Sequence, residues 1–260
     1  MIVPLLLITA AFAQATASYD PPSEAQIMEL VNRERHSRGL GTLVFDERLQ
    51  LAARKHSLLM AQRNEVEHVL AGEPKLNSRL NAVGLRYDVS GENVAHTANA
   101  ARAHVALMNS PGHRANILDP QYNAIGIGVV STPMGIYVTE DFARRVASAT
   151  VEEAEDRTAA NLNRLRKSAG MPSLRRISAP ELRRAACDMA KADRLNPRAG
   201  LFNSRVSNSV AFTAIDLTQV PNSLERLKST PASGFSVGAC YQASASNENA
   251  VFWILVVTYF

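Results

Sequence analysis

The sequence has no histidine after residue 113 and no cysteine before residue 187. The first absence confines imidazole chemistry to the first half, where His36, His56, His68, His96, His104 and His113 lie. The second leaves only Cys187 and Cys240, too far apart for a CxxC redox or zinc motif. An oxidising compartment would allow these two thiols to form a disulfide; two buried free thiols are the alternative. Long apolar runs are lacking too. The opening MIVPLLLITAAFA and the closing Ala250–Phe260 are both shorter than the roughly 20 residues a bilayer-spanning helix needs, so no transmembrane segment is expected. No HExxH signature occurs, and the basic residues are not interleaved with the aromatics that single-stranded nucleic acid stacks on. Nucleic acid is therefore not an expected partner.

The opening run is an apolar segment followed by Ala11-Phe12-Ala13 and Ala15-Thr16-Ala17, two small-residue cleavage patterns. It predicts a signal peptide over residues 1–17 and a secreted, periplasmic or extracellular destination. Charge is unevenly spread: residues 1–150 carry 14 basic and 14 acidic side chains, residues 151–260 carry 14 and 10, so the excess of +4 lies wholly in the second half. The pairs Arg175-Arg176 and Arg183-Arg184 suit either an acidic ligand or a solvated helix face.

Periodicity predicts a helix over Ser23–Arg38, opened by a Ser23/Gln26 capping box and stopped by Gly39, and a second helix with Asp46 as N-cap. A loop at 64–72, a helix at Pro74–Val83, an irregular or extended stretch at Tyr87–Ala95 and an Ala-rich helix at Ala98–Met108 follow. Ser110-Pro111 reads as a new helix start. Ala124–Val130 and Ile136–Phe142 read as two strands around a turn containing Pro133 and Gly135. The class is α+β. The second half then starts again: Asn163, Arg164, Arg166, Ser168, Gly170 and Leu174 match Asn32, Arg33, Arg35, Ser37, Gly39 and Leu43 at one offset. After a two-residue shift, Leu182, Ala185 and Ala186 match Leu49, Ala52 and Ala53. This predicts an internal duplication with a boundary near Ala147–Val151.

The stretch with most chemical content is MNSPGHRANIL, Met108–Leu118, followed by Tyr122 and IGIGVV; upstream stand GENVA, Gly91–Ala95, and a loop His68. In this order the motifs resemble the bacterial branch of the CAP/SCP family (cysteine-rich secretory protein, antigen 5, pathogenesis-related 1) over about residues 23–143. The resemblance implies an α-β-α sandwich with the motifs around one cleft. It places a CAP/SCP domain at 20–146 and, through the duplication, a shorter degenerate CAP-like domain at 151–260. Carried over, the cleft holds His68, Glu92 and His113. The family's further acidic member is missing here, where only Asn109 or Ser110 stands. Bacterial relatives often have Gln before the Phe of the last strand; this chain has Glu140-Asp141-Phe142, and strand alternation would turn only one of the two acids inward. His96 could line the rim. His56 and His104 fall on apolar helix faces and read as core histidines. Arg114 and Asn116 read as braces of the SPGHR turn.

Two imidazoles and a carboxylate can hold a divalent ion through His68, His113 and Glu92, zinc first and calcium or magnesium as alternatives. They can act as an acid/base pair, or simply organise loops by hydrogen bonding. Without a nucleophile–base pair or protease signature, the balance favours a binding module for an extracellular lipid, peptide or envelope component. A metal-assisted hydrolase of peptide or ester bonds and a purely structural envelope protein are the competing readings.

Overall fold

A computed structural model describes residues 17–244 and 250–260. The expected signal peptide falls almost wholly outside them. The described chain divides into two compact units that alternate along the sequence. The first comprises residues up to Glu73 with Gly91–Pro120 and Ile125–Phe142; the second comprises Pro74–Ser90, Gln121–Ala124 and Ala143–Phe260.

The first unit opens with the short strand β1 (Ser18–Tyr19) and helix α1 (Pro21–His36). The cap of α1 is Asp20, not the expected Ser23. Asp20 accepts from the Ser23 N–H at 3.1 Å and from the Ser23 hydroxyl at 2.8 Å. Pro21-Pro22 explains the earlier start, since proline is pre-set for the first helical turn and needs no donor there. Strand β2 (Val44–Phe45) precedes helix α2 (Glu47–Arg63), capped by Asp46 and ended by Asn64 in the left-handed region at φ 54°. Leu49, Ala52, Ala53, His56, Ser57 and Met60 form the buried stripe of α2 at the three-and-four spacing of a helix.

Helix α3 (Leu76–Ala82) belongs to the second unit. Strand β3 (Tyr87–Thr97) begins in that unit and carries the GEN motif into the first, a regular strand where an irregular or extended stretch was expected. Helices α4 (Ala100–Asn109) and α5 (Pro111–Leu118) meet at Ser110, which occupies the N-cap position of α5 without a side-chain cap bond. Strands β4 (Ala124–Thr132) and β5 (Gly135–Arg145) complete a sheet ordered β1-β4-β5-β3, with β2 on β4. Gly126 and Gly128 let β4 press against α2. A Cβ on Gly126 would lie 2.1 Å from the Gln50 nitrogen and one on Gly128 2.3 Å from the Arg54 nitrogen, distances no side chain survives. On the other flank, buried Arg35 of α1 donates to the carbonyls of Gly41, Ile117 and Asp119, each at 2.8 Å.

The second unit continues with helix α6 (Val151–Ser168), opened by a Thr150/Glu153 capping box, strand β6 (Arg175–Arg176) and helix α7 (Pro180–Lys191). Strand β7 (Val206–Ala214), helix α8 (Asn222–Glu225), β8 (Gly234–Ala243) and β9 (Ala250–Tyr259) follow. The sheet order is β6-β8-β9-β7, with β9 antiparallel to both neighbours. Alternation along β9 supplies two cores. Phe252, Ile254 and Val256 join Ala154 and Leu162 of α6, while Trp253, Leu255 and Val257 join Leu182, Ala186 and Met189 of α7. The result is helix, sheet, helix. Of the two readings left open for the cysteines, the disulfide holds: Cys187 on α7 is bonded to Cys240 on β8. Two of the four arginines expected as a basic face are occupied: Arg183 forks onto Glu155 and reaches Glu152, and Arg176 pairs with Glu155 and Asp156.

Among the described residues no helix is long and apolar enough to cross a membrane.

Candidate functional site

Strand β3 presents Glu92 from beneath, the 64–72 loop brings His68 over it, and α5 carries His113 in its first turn. Nδ1 of His68 donates to Oε1 of Glu92 at 2.9 Å. The His68 and His113 rings stand 6.2 Å apart, tilted by 49°. Glu92 is buried, with a side chain only 4% exposed, whereas that of His68 is 55% exposed. A carboxylate on Nδ1 favours the tautomer of His68 that carries its proton there. Burial and the neighbouring His68 hold the His113 imidazole below its ordinary protonation range, which keeps it neutral and able to accept or to coordinate. The three residues carried over from the motifs therefore come together.

A second layer lies behind them. Asn93 of β3 donates from Nδ2 to the His113 carbonyl at 3.1 Å and to Oε2 of Glu140 at 2.9 Å. Asn116 of α5 donates to the Asn93 side-chain oxygen at 2.9 Å and to the Glu92 carbonyl at 3.1 Å. Arg114 closes the same turn by donating to the Met108 carbonyl at 3.1 Å. Both brace assignments are thus realised as hydrogen bonds.

Alternation along β5 was expected to let only one of Glu140 and Asp141 face the cleft; both are fully buried. The run Ile136–Ala143 is covered on both faces, so the pleat separates two interiors and not cleft from solvent. Glu140 sits behind the cleft, and its Oε1 has no hydrogen-bond partner. Burial, opposed by the Asn93 bond, raises its carboxyl to about 7.

The remaining candidates divide. His56 is buried with acceptors on both nitrogens, Glu73 at 2.8 Å from Nδ1 and the Glu67 carbonyl at 2.9 Å from Nε2. It is a satisfied core histidine, as expected, but it also lies 3.9 Å from Oε2 of Glu92 and so abuts the cluster from inside. Its partner Glu73 was not legible in the sequence, because it belongs to no motif. His104 is buried on α4, with Nδ1 unpartnered and its protonation lowered by burial. His96 is exposed on β3 and stacks on Tyr137 with centroids 4.3 Å apart, an aromatic support at one side of the domain. Asn109 is exposed at the end of α4, and neither it nor Ser110 hydrogen-bonds to the His68, Glu92, His113 group.

Residues 28–142 match the family model described as CAP, the cysteine-rich secretory protein family, so the chain carries a CAP/SCP-family domain. The uncharacterized protein YkwD of Bacillus subtilis (strain 168) is 36% identical over 110 residues, 42% of this chain and 43% of that protein. The uncharacterized membrane protein YlbC of the same strain is 32% identical over 124 residues, 47% of this chain and 35% of that protein. The chain thus spans less than half the length of the curated relatives it matches. Among solved structures, an extracellular protein containing a SCP domain from Bacillus anthracis str. Ames aligns with 28% identity and a TM-score of 0.45, over 48% of this chain and 41% of that one.

Proposed function

We propose that the CAP/SCP domain is a secreted binding module whose His68, Glu92, His113 cleft engages an extracellular lipid, peptide or envelope component, with a divalent ion as its cofactor. The observation that carries this reading is the His68–Glu92 hydrogen bond beneath an imidazole pair 6.2 Å apart. The donor set suits zinc: His68 and His113 as imidazole ligands, with Glu92 hydrogen-bonded to His68. Among the described residues no three His, Cys, Asp or Glu side chains converge as one preformed metal group. Two imidazole ligands would leave a four-coordinate zinc ion with open positions, which the bound component would fill.

Calorimetric titration of zinc into the purified protein and into a His68→Ala/His113→Ala double variant tests this. Uptake by the wild type and its loss in the variant is the expected result; equal uptake would overturn the site. Cleavage of a peptide or ester probe by the zinc-loaded protein would replace the binding reading with a metal-assisted hydrolase.

The second domain, residues 151–260, we read as a degenerate copy that has lost the cleft. Three internal geometries support this. Asn163 exchanges two hydrogen bonds with Leu174 as Asn32 does with Leu43. Arg166 donates to the carbonyls of Pro172, Leu227 and Thr230 as Arg35 does to those of Gly41, Ile117 and Asp119. Glu155 accepts from the Ala239 N–H and from Arg183 as Glu24 accepts from the Val129 N–H and from Arg54. The second copy has no histidine with which to keep the chemistry.

A further inference from the structure

We propose that Glu140 is a positioning residue for the cleft: by holding Asn93 it sets, from the buried face of β5, where the backbones carrying His113 and Glu92 stand. The proposal rests on the cleft reading above and adds to it a residue that hydrogen-bonds to none of the three cleft side chains.

The argument begins with what a buried amide can do. Asn93 is fully buried and has two donors and one side-chain acceptor oxygen to satisfy. Its donors go to the His113 carbonyl and to Glu140, and its oxygen accepts from Asn116, which in turn holds the Glu92 carbonyl. Asn93 therefore stands between α5, which carries His113, and the backbone of the strand that carries Glu92. The rotamer of Asn93 decides whether both contacts can be made at once. Of its partners, the His113 carbonyl and Asn116 both belong to α5; only Glu140 comes from outside the cleft-bearing segments, and it sits on β5 in the middle of the sheet.

Glu140 is poorly placed for any other task. It is fully buried, and among the described residues Oε1 has no partner and Asn93 is its one hydrogen-bond donor. An apolar side chain of similar volume would fill the same space without leaving an orphan oxygen, so burial alone does not explain a carboxyl there. What an apolar residue could not supply is the acceptor that orients Asn93. A neutral amide could, which is why glutamine is the diagnostic substitution.

Ring signals of His68 and His113 in NMR spectra of the metal-free protein, compared among wild type, Glu140→Gln and Glu140→Leu, decide the matter without any ligand. Glu140→Leu is expected to move the His113 and His68 ring resonances and to abolish the nuclear Overhauser contact between the rings. Glu140→Gln is expected to restore both to wild-type positions. A Leu variant with unchanged ring signals and a lowered melting midpoint would reduce Glu140 to a core filler and overturn the proposal. So would a folded Gln variant whose ring signals match those of Leu. If Glu140→Leu does not fold, Asn116→Ala takes its place: displaced His68 signals support the relay, and unmoved ones overturn it. Zinc titration of the wild type is read separately. Absence of uptake there would sink the metal reading while leaving the ring result standing.

Discussion

Asn93 and Glu140 meet at 2.9 Å across the interior of the first unit, and this single bond is all that offsets the burial of the Glu140 carboxyl. The folded-state value of about 7 exceeds the ordinary 4.5, so the native protein holds this proton more tightly than the unfolded chain does. The stabilisation is therefore complete below pH 4.5 and is lost as pH rises through 7. The gap corresponds to about 3 kcal/mol. Urea midpoints of the wild type should fall between pH 5 and pH 8.5, and Glu140→Gln should flatten that decline. Parallel profiles for the two proteins would show that Glu140 does not titrate in this range.

His104 limits the acid side. Burial lowers its protonation range, and its Nδ1 has no partner, so the fold prefers the neutral ring. Its contribution is full above the ordinary value of 6.5 and is lost as pH falls below that. Replacing it with leucine, which does not titrate, should reduce the loss of stability between pH 7 and pH 5. His113, shifted in the same direction, should keep part of that slope in the variant. Denaturant titrations at the two pH values measure both contributions.

Arg35 and Arg166 should be equally costly to remove. Each is about 1% exposed and each donates to at least three backbone carbonyls, Arg166 to four. Methionine keeps the length and apolar stem of either side chain but strands those carbonyls, at about 3 kcal/mol or more. Lysine, with one nitrogen in place of a fork, should not rescue. Chemical denaturation of the two Met variants gives the comparison. A cost at Arg35 alone would count against the second domain being a copy of the first.

Glycine substitutions should separate steric need from motif membership. Gly126→Ala would drive its methyl into the α2 backbone at Leu49 and Gln50, and Gly238→Ala would drive it into α7 at Leu182 and Arg183. Because backbone cannot rotate aside, each should lose about 3 kcal/mol or fail to accumulate. Gly112, inside the SPGHR motif, has no atom within 4 Å of where a Cβ would be, and Gly112→Ala should change stability by less than about 1 kcal/mol. Melting midpoints of the three variants are the measurement.

The motif order made the cleft legible, because His68, Glu92 and His113 are marked by neighbours that build their turns. Glu73 was not legible. It meets His56 only because Asn64 turns left-handed and folds the 64–72 segment back over α2, a path that no local pattern encodes. The Asp20 cap was missed because Ser23 three residues on offered an equally good pattern, and the two prolines between them decide the helix start. The double burial of Glu140 and Asp141 was missed because a period of two indicates opposite faces without telling what covers each. The likeness of the two halves was visible as matched letters, whereas the mechanical content of those letters, an asparagine gripping a leucine peptide eleven residues on, needed coordinates.

The Cys187–Cys240 bond is placed so that only one unit depends on the redox history of the molecule. Made in a reducing cytosol, the chain would have the same cleft residues but would lack the covalent tie between α7 and β8. Such material would give a sound answer about His68 and His113 and a misleading one about overall durability. The choice of production host is therefore itself an experimental variable, and two laboratories could report different stabilities for an identical sequence while agreeing about everything in the cleft.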